Sequence, residues 1–218
     1  MAGTKTKEKI ELKDCSEPHR TLGAWKSIDG SKRGQISVLR EKSETFGKAI
    51  EKTPLTFHEA RMAHERLFIP SLEFPLASAT LSRSECQHIL HPGLRACIRK
   101  AGFAASTARA VVFGPRELGG AAFTSLYTAQ STDQITQLVH HLRENKEPAE
   151  LIRINLGWTQ LISGLSNPIL SDCHTPIPHM RKNWILSIRQ ALSESAGRVE
   201  IHNAPVFPKL RIDDVHLY

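Results

Sequence analysis

Apolar residues recur at three- and four-residue spacing in several separate stretches of this chain. That rhythm constrains the fold more than any other feature of the sequence. Ile36, Leu39, Phe46 and Ile50 form one stripe, the pattern of a helix with one buried face. The spacing predicts a helix over 35–51. A second is predicted after Thr53, with Thr53 as N-cap and Pro54 at the first helical position. It carries Leu55, Ala60, Ala63 and Leu67 as far as Pro70. The next stretch, PSLEFPLASATL, reads as irregular or extended because of its two prolines. Ser82 with Glu85 fits a capping box, so Cys86, Ile89 and Leu90 fall on a short helix ending before Pro92. Residues 93–100 read as another, closed by Gly102. Ser131 with Gln134 fits a second capping box, ahead of Ile135, Leu138, Val139 and Leu142. Pro148 starts a helix bearing Leu151, Ile152, Leu156, Trp158, Leu161, Ile162 and Leu165. Asn183 caps one bearing Trp184, Ile185, Ile188 and Leu192, closed by Gly197.

Helices of this length are stable only when their stripes are buried against one another. The expected fold class is therefore mainly α, an irregular helical bundle with minor short strands at the two ends. Asp29-Gly30 is a turn signal for strands near the start. VEI at 199–201 and LRIDDVHLY at 210–218 read either as short strands or as truncated ends. Residues 1–20 read as a polar tail and 21–215 as one helical domain, with a soft boundary near 115–130.

The chain has 218 residues and a formal net charge of +7. That sign favours an anionic partner, nucleic acid above all. No run of apolar residues is long enough to span a membrane. The start, MAGTKTKEKIELKD, is not a secretory signal. The expected location is the cytoplasm or nucleus rather than outside the cell. The four scattered cysteines, with no CxxC pair, are expected to be free thiols.

The stretch VVFGPRELGGAAF, Val111 to Phe123, raises a phosphate loop as an idea. A P-loop needs Gly-Lys-Ser/Thr after its glycines, and nothing of that kind follows Gly119-Gly120. G-x-G-x-x-G is also missing. Gly114, Pro115, Gly119 and Gly120 read better as a structural turn with a close backbone approach. Arg116 remains a candidate contact to phosphate or a partner. Cys86, His88, His91 and Cys97 carry metal-ligand chemistry, but Cys-x-His points two residues to different sides of a helix. His140-His141 and Cys173-His174 share that difficulty. His58-Glu59 and His64-Glu65 do not form H-E-x-x-H, and Asp213-Asp214 is an isolated acidic pair. No catalytic residue, metal ligand or cofactor is accordingly expected. Trp158 and Trp184 offer stacking platforms for bases, yet each sits in an apolar stripe and is expected in the core.

Several blocks together resemble the segment that follows the palm in reverse transcriptases of retrotransposon-type elements. TLGAWKSIDGSKRGQISVLREKSETF is similar to the post-palm "Leu-Gly" block and the helix leading into the thumb. LFIPSLEFPLASATLSRSECQHI is similar to the thumb or connector that follows. ARAVVFGPRELGG and LYTAQ…QLVHHLR resemble blocks of retroelement-like reading frames. The resemblance covers most of 20–215. It implies a fragment of a reverse transcriptase-like polyprotein without its catalytic palm, since no Tyr-x-Asp-Asp-type turn occurs here to hold two metal ions. The isolated chain is then no enzyme, and its partner is an RNA–DNA or DNA duplex. The implied backbone contacts are Lys26, Lys32, Arg33 and Arg40. Lys42 and Lys48 on the first helix join them, as do Arg116, Arg181 and Lys182. The alternative is a helical protein-interaction module that touches no nucleic acid.

Overall fold

The computed structural model describes residues 14–202. It is a mainly α-helical bundle with two short antiparallel strands at one end. Strand β1 (His19–Thr21) pairs with β2 (Ala24–Lys26), Arg20 lying opposite Trp25. The hairpin turns at Leu22-Gly23, both at positive φ, and not at Asp29-Gly30 as the turn signal suggested. VEI at 199–201 forms no strand, and 210–218 lies outside the described residues.

Helix α1 (Arg33–Lys52) carries the predicted stripe, with Leu39 and Ile50 buried. The next helix starts later than expected. Thr53 ends α1, and Thr56 caps α2 (Phe57–Ala63) in a capping box with Glu59. The helical path then runs through Pro70. A π turn (His64–Phe68) leads without a break into α3 (Ile69–Glu73), with Pro70 just past the junction. The wide turn sends both His64 and Phe68 into the core. Phe68 stacks on Phe46 with ring centroids 4.4 Å apart.

Ser82 and Glu85 do form the capping box of α4 (Arg83–Lys100). This is one helix, not two, and Pro92 lies inside it. Pro92 has no N–H, so the His88 carbonyl lacks its helical donor. The Arg40 guanidinium of α1 donates to that carbonyl. The Gly93 N–H donates to Ser43 Oγ at 3.1 Å. The proline is thus accommodated by groups from the neighbouring helix. Close approach is part of the arrangement: a Cβ on Gly47 would lie 3.0 Å from the Pro92 carbonyl oxygen.

After α5 (Arg109–Phe113) and a 3-10 turn (Arg116–Leu118), α6 (Leu126–Glu144) crosses the molecule. Leu126, Tyr127 and Ala129 belong to a first core built on α1–α4. Leu138 belongs to a second, made with α7 (Glu147–Ser163) and α8 (Trp184–Glu194). The two cores meet along α6 rather than at a linker. Since α6 begins at Leu126, Ser131 and Gln134 are interior residues and form no capping box. Ser131 Oγ donates back to the Tyr127 carbonyl, and the Gln134 amide donates to the Ala79 carbonyl.

Buried glutamines hold the irregular segments. Gln130 clamps Leu81, donating to its carbonyl at 3.0 Å and accepting from its N–H at 3.2 Å. Gln160 donates to the Leu165 and Asn167 carbonyls and accepts from the Ile169 N–H. Arg189 of α8 is buried and donates to the carbonyls of Ile169, Asp172 and Thr175. Loop carbonyls that leave water need such donors.

Candidate nucleic-acid interface

The VVFGPRELGG segment folds as a backbone crossing. Gly119 adopts φ 80, and a Cβ on Gly120 would lie 2.0 Å from the Gly114 carbonyl oxygen. Gly119 N–H donates to the Arg116 carbonyl, Gly120 N–H to Pro115 and Ala121 N–H to Val111. A phosphate cradle needs these donors turned outward, and here the loop uses them internally. Arg116 lies over the Phe57 ring, 5.5 Å from its centroid.

The basic residues expected to contact nucleic acid do not form one surface. Lys26 and Lys32 line a shallow pocket of about 260 Å³ between β2, the start of α1 and residues 75–81. Lys32 donates to the Thr80 carbonyl at 2.7 Å and sits 3.9 Å from Glu85. Lys182 belongs to this side too. Desolvation and then the nearby Lys32 charge hold its ammonium below the usual lysine range, against an opposing pull from Glu85. Arg33 and Arg181 are exposed. Lys42 donates to the Ser71 carbonyl at 3.2 Å.

Arg40 and Lys48 are placed differently. They line an open groove of about 370 Å³ between α1 and α4. Arg95, Arg99 and His91 face them from α4. Arg40 is partly committed, to Glu44 at 2.9 Å and to the His88 carbonyl. Among the described residues Arg99 makes only a long pair with Glu51, at 3.9 Å. Lys48 and Arg95 have no ion pair among the described residues. His91 reports the local field. Desolvation, then the charges of Arg109, Arg40, Arg95 and His88, hold its imidazole below the usual histidine range. Cations that depress a neighbour's protonation also attract an anion.

Arg95, Arg99 and Arg109 were not singled out by sequence, and His91 drew notice only for metal-ligand chemistry. Arg95 and Arg99 stand four apart on α4, one helical face. Reading them as partners of Arg40 and Lys48 required knowing that α1 and α4 pack together, as they do more extensively than any other pair of helices.

The remaining candidates are dispersed. Cys86 and Cys97 are buried, and burial pushes both thiols up to about 12. His88 and His91 are exposed, so this set surrounds no common point. His140, His141 and Glu144 do bring ligand atoms within 4.8 Å of one another on the surface of α6. The adjacent histidines therefore converge, contrary to the helix-angle argument, with ring centroids 5.4 Å apart. Lys146 Nζ already lies 3.3 Å from Glu144. Asp213-Asp214 lies outside the described residues. Trp184 is half-buried and donates its indole N–H to the Ala77 carbonyl at 2.8 Å. Trp158 is not in the core: it is 64% exposed. Its stripe lies opposite the face of α7 that packs inward through Ala149, Leu156 and Ser163.

No helix among the described residues is long and apolar enough to cross a membrane. No family model, no curated protein and no solved structure matches this chain.

Proposed function

We propose that the α1–α4 groove binds the phosphate backbone of a nucleic-acid duplex, and that the chain is a non-catalytic, thumb-like piece of a reverse transcriptase-like polyprotein. The observation that carries the binding reading is the facing set Lys48, Arg95, Arg99 and Arg40, with the depressed His91 between them. The lineage rests on the TLGAWKSIDG and VVFGPRELGG blocks. The Leu22-Gly23 tip adds a local point of support. Leu22 is left-handed at φ 47 and 89% exposed, a conformation costing roughly 1–2 kcal/mol for a side-chain-bearing residue.

Binding of a labelled RNA–DNA hybrid, followed by anisotropy at two salt concentrations, tests the reading. Micromolar affinity with a steep salt slope is expected. The Lys48→Ala/Arg95→Ala double variant should weaken binding uniformly across sequences and reduce the slope by roughly two. His91 should also titrate higher in the complex, since phosphate reverses the sign of its surroundings. An unchanged affinity and slope in the double variant would sink the assignment. The alternative, a protein-interaction module, draws on a separate observation: the exposed apolar face of α7.

A further inference from the structure

Helix α7 carries two apolar faces, and among the described residues only one is covered. Leu151, Ile154, Trp158, Leu161 and Ile162 are 63, 68, 64, 53 and 45% exposed. Residues 151, 154, 158 and 161 alternate steps of three and four. That is the a/d spacing of a helix–helix seam, distinct from the wider stripe of a helix lying on a core. Isolated exposed apolar residues need no explanation, but a contiguous ridge of this kind marks an interface.

We infer that this face pairs with the same face of a second copy of the chain. In an antiparallel pair Leu151 meets Leu161 of the second copy and Ile154 meets Trp158, so the two-fold axis passes between Ile154 and Trp158. Self-complementarity of one patch is what a two-fold interface requires. The area is also sufficient. The ridge exposes on the order of 500 Å² of apolar surface, with about 150 Å² of it from the 64%-exposed Trp158. Pairing then covers roughly 1,000 Å² over both copies before the flanking polar residues are counted, the lower bound of a specific interface. A central, large aromatic anchor is the residue type on which such interfaces depend. Glu150 and Arg153, paired at 2.6 Å beside the ridge, supply part of a polar rim.

Sedimentation velocity of the full chain tests this, run from about 1 to 100 µM in salt high enough to suppress polyanion binding. Concentration-dependent dimerisation is expected for the wild-type chain. Ile154→Glu and Trp158→Glu, both at exposed positions, should each weaken it at least tenfold while leaving the helical circular dichroism unchanged. A Lys48→Ala/Arg95→Ala chain should dimerise as the wild type does, which separates this inference from the groove reading. A wild-type chain that stays monomeric throughout overturns the inference and leaves the ridge to a different protein. A dimer indifferent to both glutamate substitutions overturns it as well.

Discussion

His64 is fully buried in the π turn, its ring edge-on to Phe68 and Phe123 with centroids 5.6 and 5.0 Å away. Neither ring nitrogen has a hydrogen-bond partner among the described residues. Desolvation alone pushes its pKa down to about 4, from an ordinary 6.5. The folded value lies below the unfolded one, so the unfolded chain takes up the proton first as the pH falls. Stability linked to His64 is therefore fully present above about pH 6.5 and is lost as the pH drops from there towards 4. The whole gap is worth about 3 kcal/mol at 1.36 kcal/mol per pH unit, and about 2 kcal/mol of it disappears between pH 7 and pH 5. His64→Leu removes the titration at nearly constant volume. At pH 7 the variant should lie within about 1 kcal/mol of the wild type, because losing two unpaired buried nitrogens offsets the lost edge contacts. Urea unfolding followed by circular dichroism at both pH values reads the difference. The wild type should lose about 2 kcal/mol more than the variant between pH 7 and pH 5. An equal loss in both chains would show that the buried ring is not what the acid acts on.

Adjacent glycines in the crossing should respond for different reasons. Gly119→Ala meets open space but must hold φ 80, costing roughly 1–2 kcal/mol. Gly120→Ala drives a Cβ into the Gly114 carbonyl, and no flexible side chain can yield, so it should cost more than about 3 kcal/mol. Thermal melts giving equal losses would contradict the crossing. Ser82→Ala should cost about 1 kcal/mol by removing a cap, whereas Ser131→Ala, inside α6, should change urea midpoints little. Arg189→Met leaves the Ile169, Asp172 and Thr175 carbonyls without their donor. A loss of about 3 kcal/mol is expected in the same assay, and a loss under about 1 kcal/mol would contradict that role.

Local signals placed the helices well where a cap and a stripe agreed. Ser82 with Glu85 and Asn183 are caps in the folded chain, because capping depends on atoms within one turn. The same kind of signal misled at Ser131 and Gln134, where a buried amide serves the Ala79 loop fifty-five residues away. Pro92 was read as an end because a proline breaks an isolated helix. It is retained because Arg40 and Ser43 of α1 take over the freed backbone groups.

The sequence by itself determined the helical class, the stripes and the net positive charge, since periodicity and charge are properties of neighbours along the chain. Only the tertiary structure decided which stripe faces solvent and which cations share a groove. Trp158 and Leu156 lie two residues apart on α7, yet one is exposed and the other buried. Both are apolar, so composition could not rank them. The choice was made by α6, α8 and the 169–173 loop, which cover one side of the helix and leave the other open. Arg95 joins Lys48 for the same reason: the pairing of α1 with α4 is a long-range contact that no local pattern encodes.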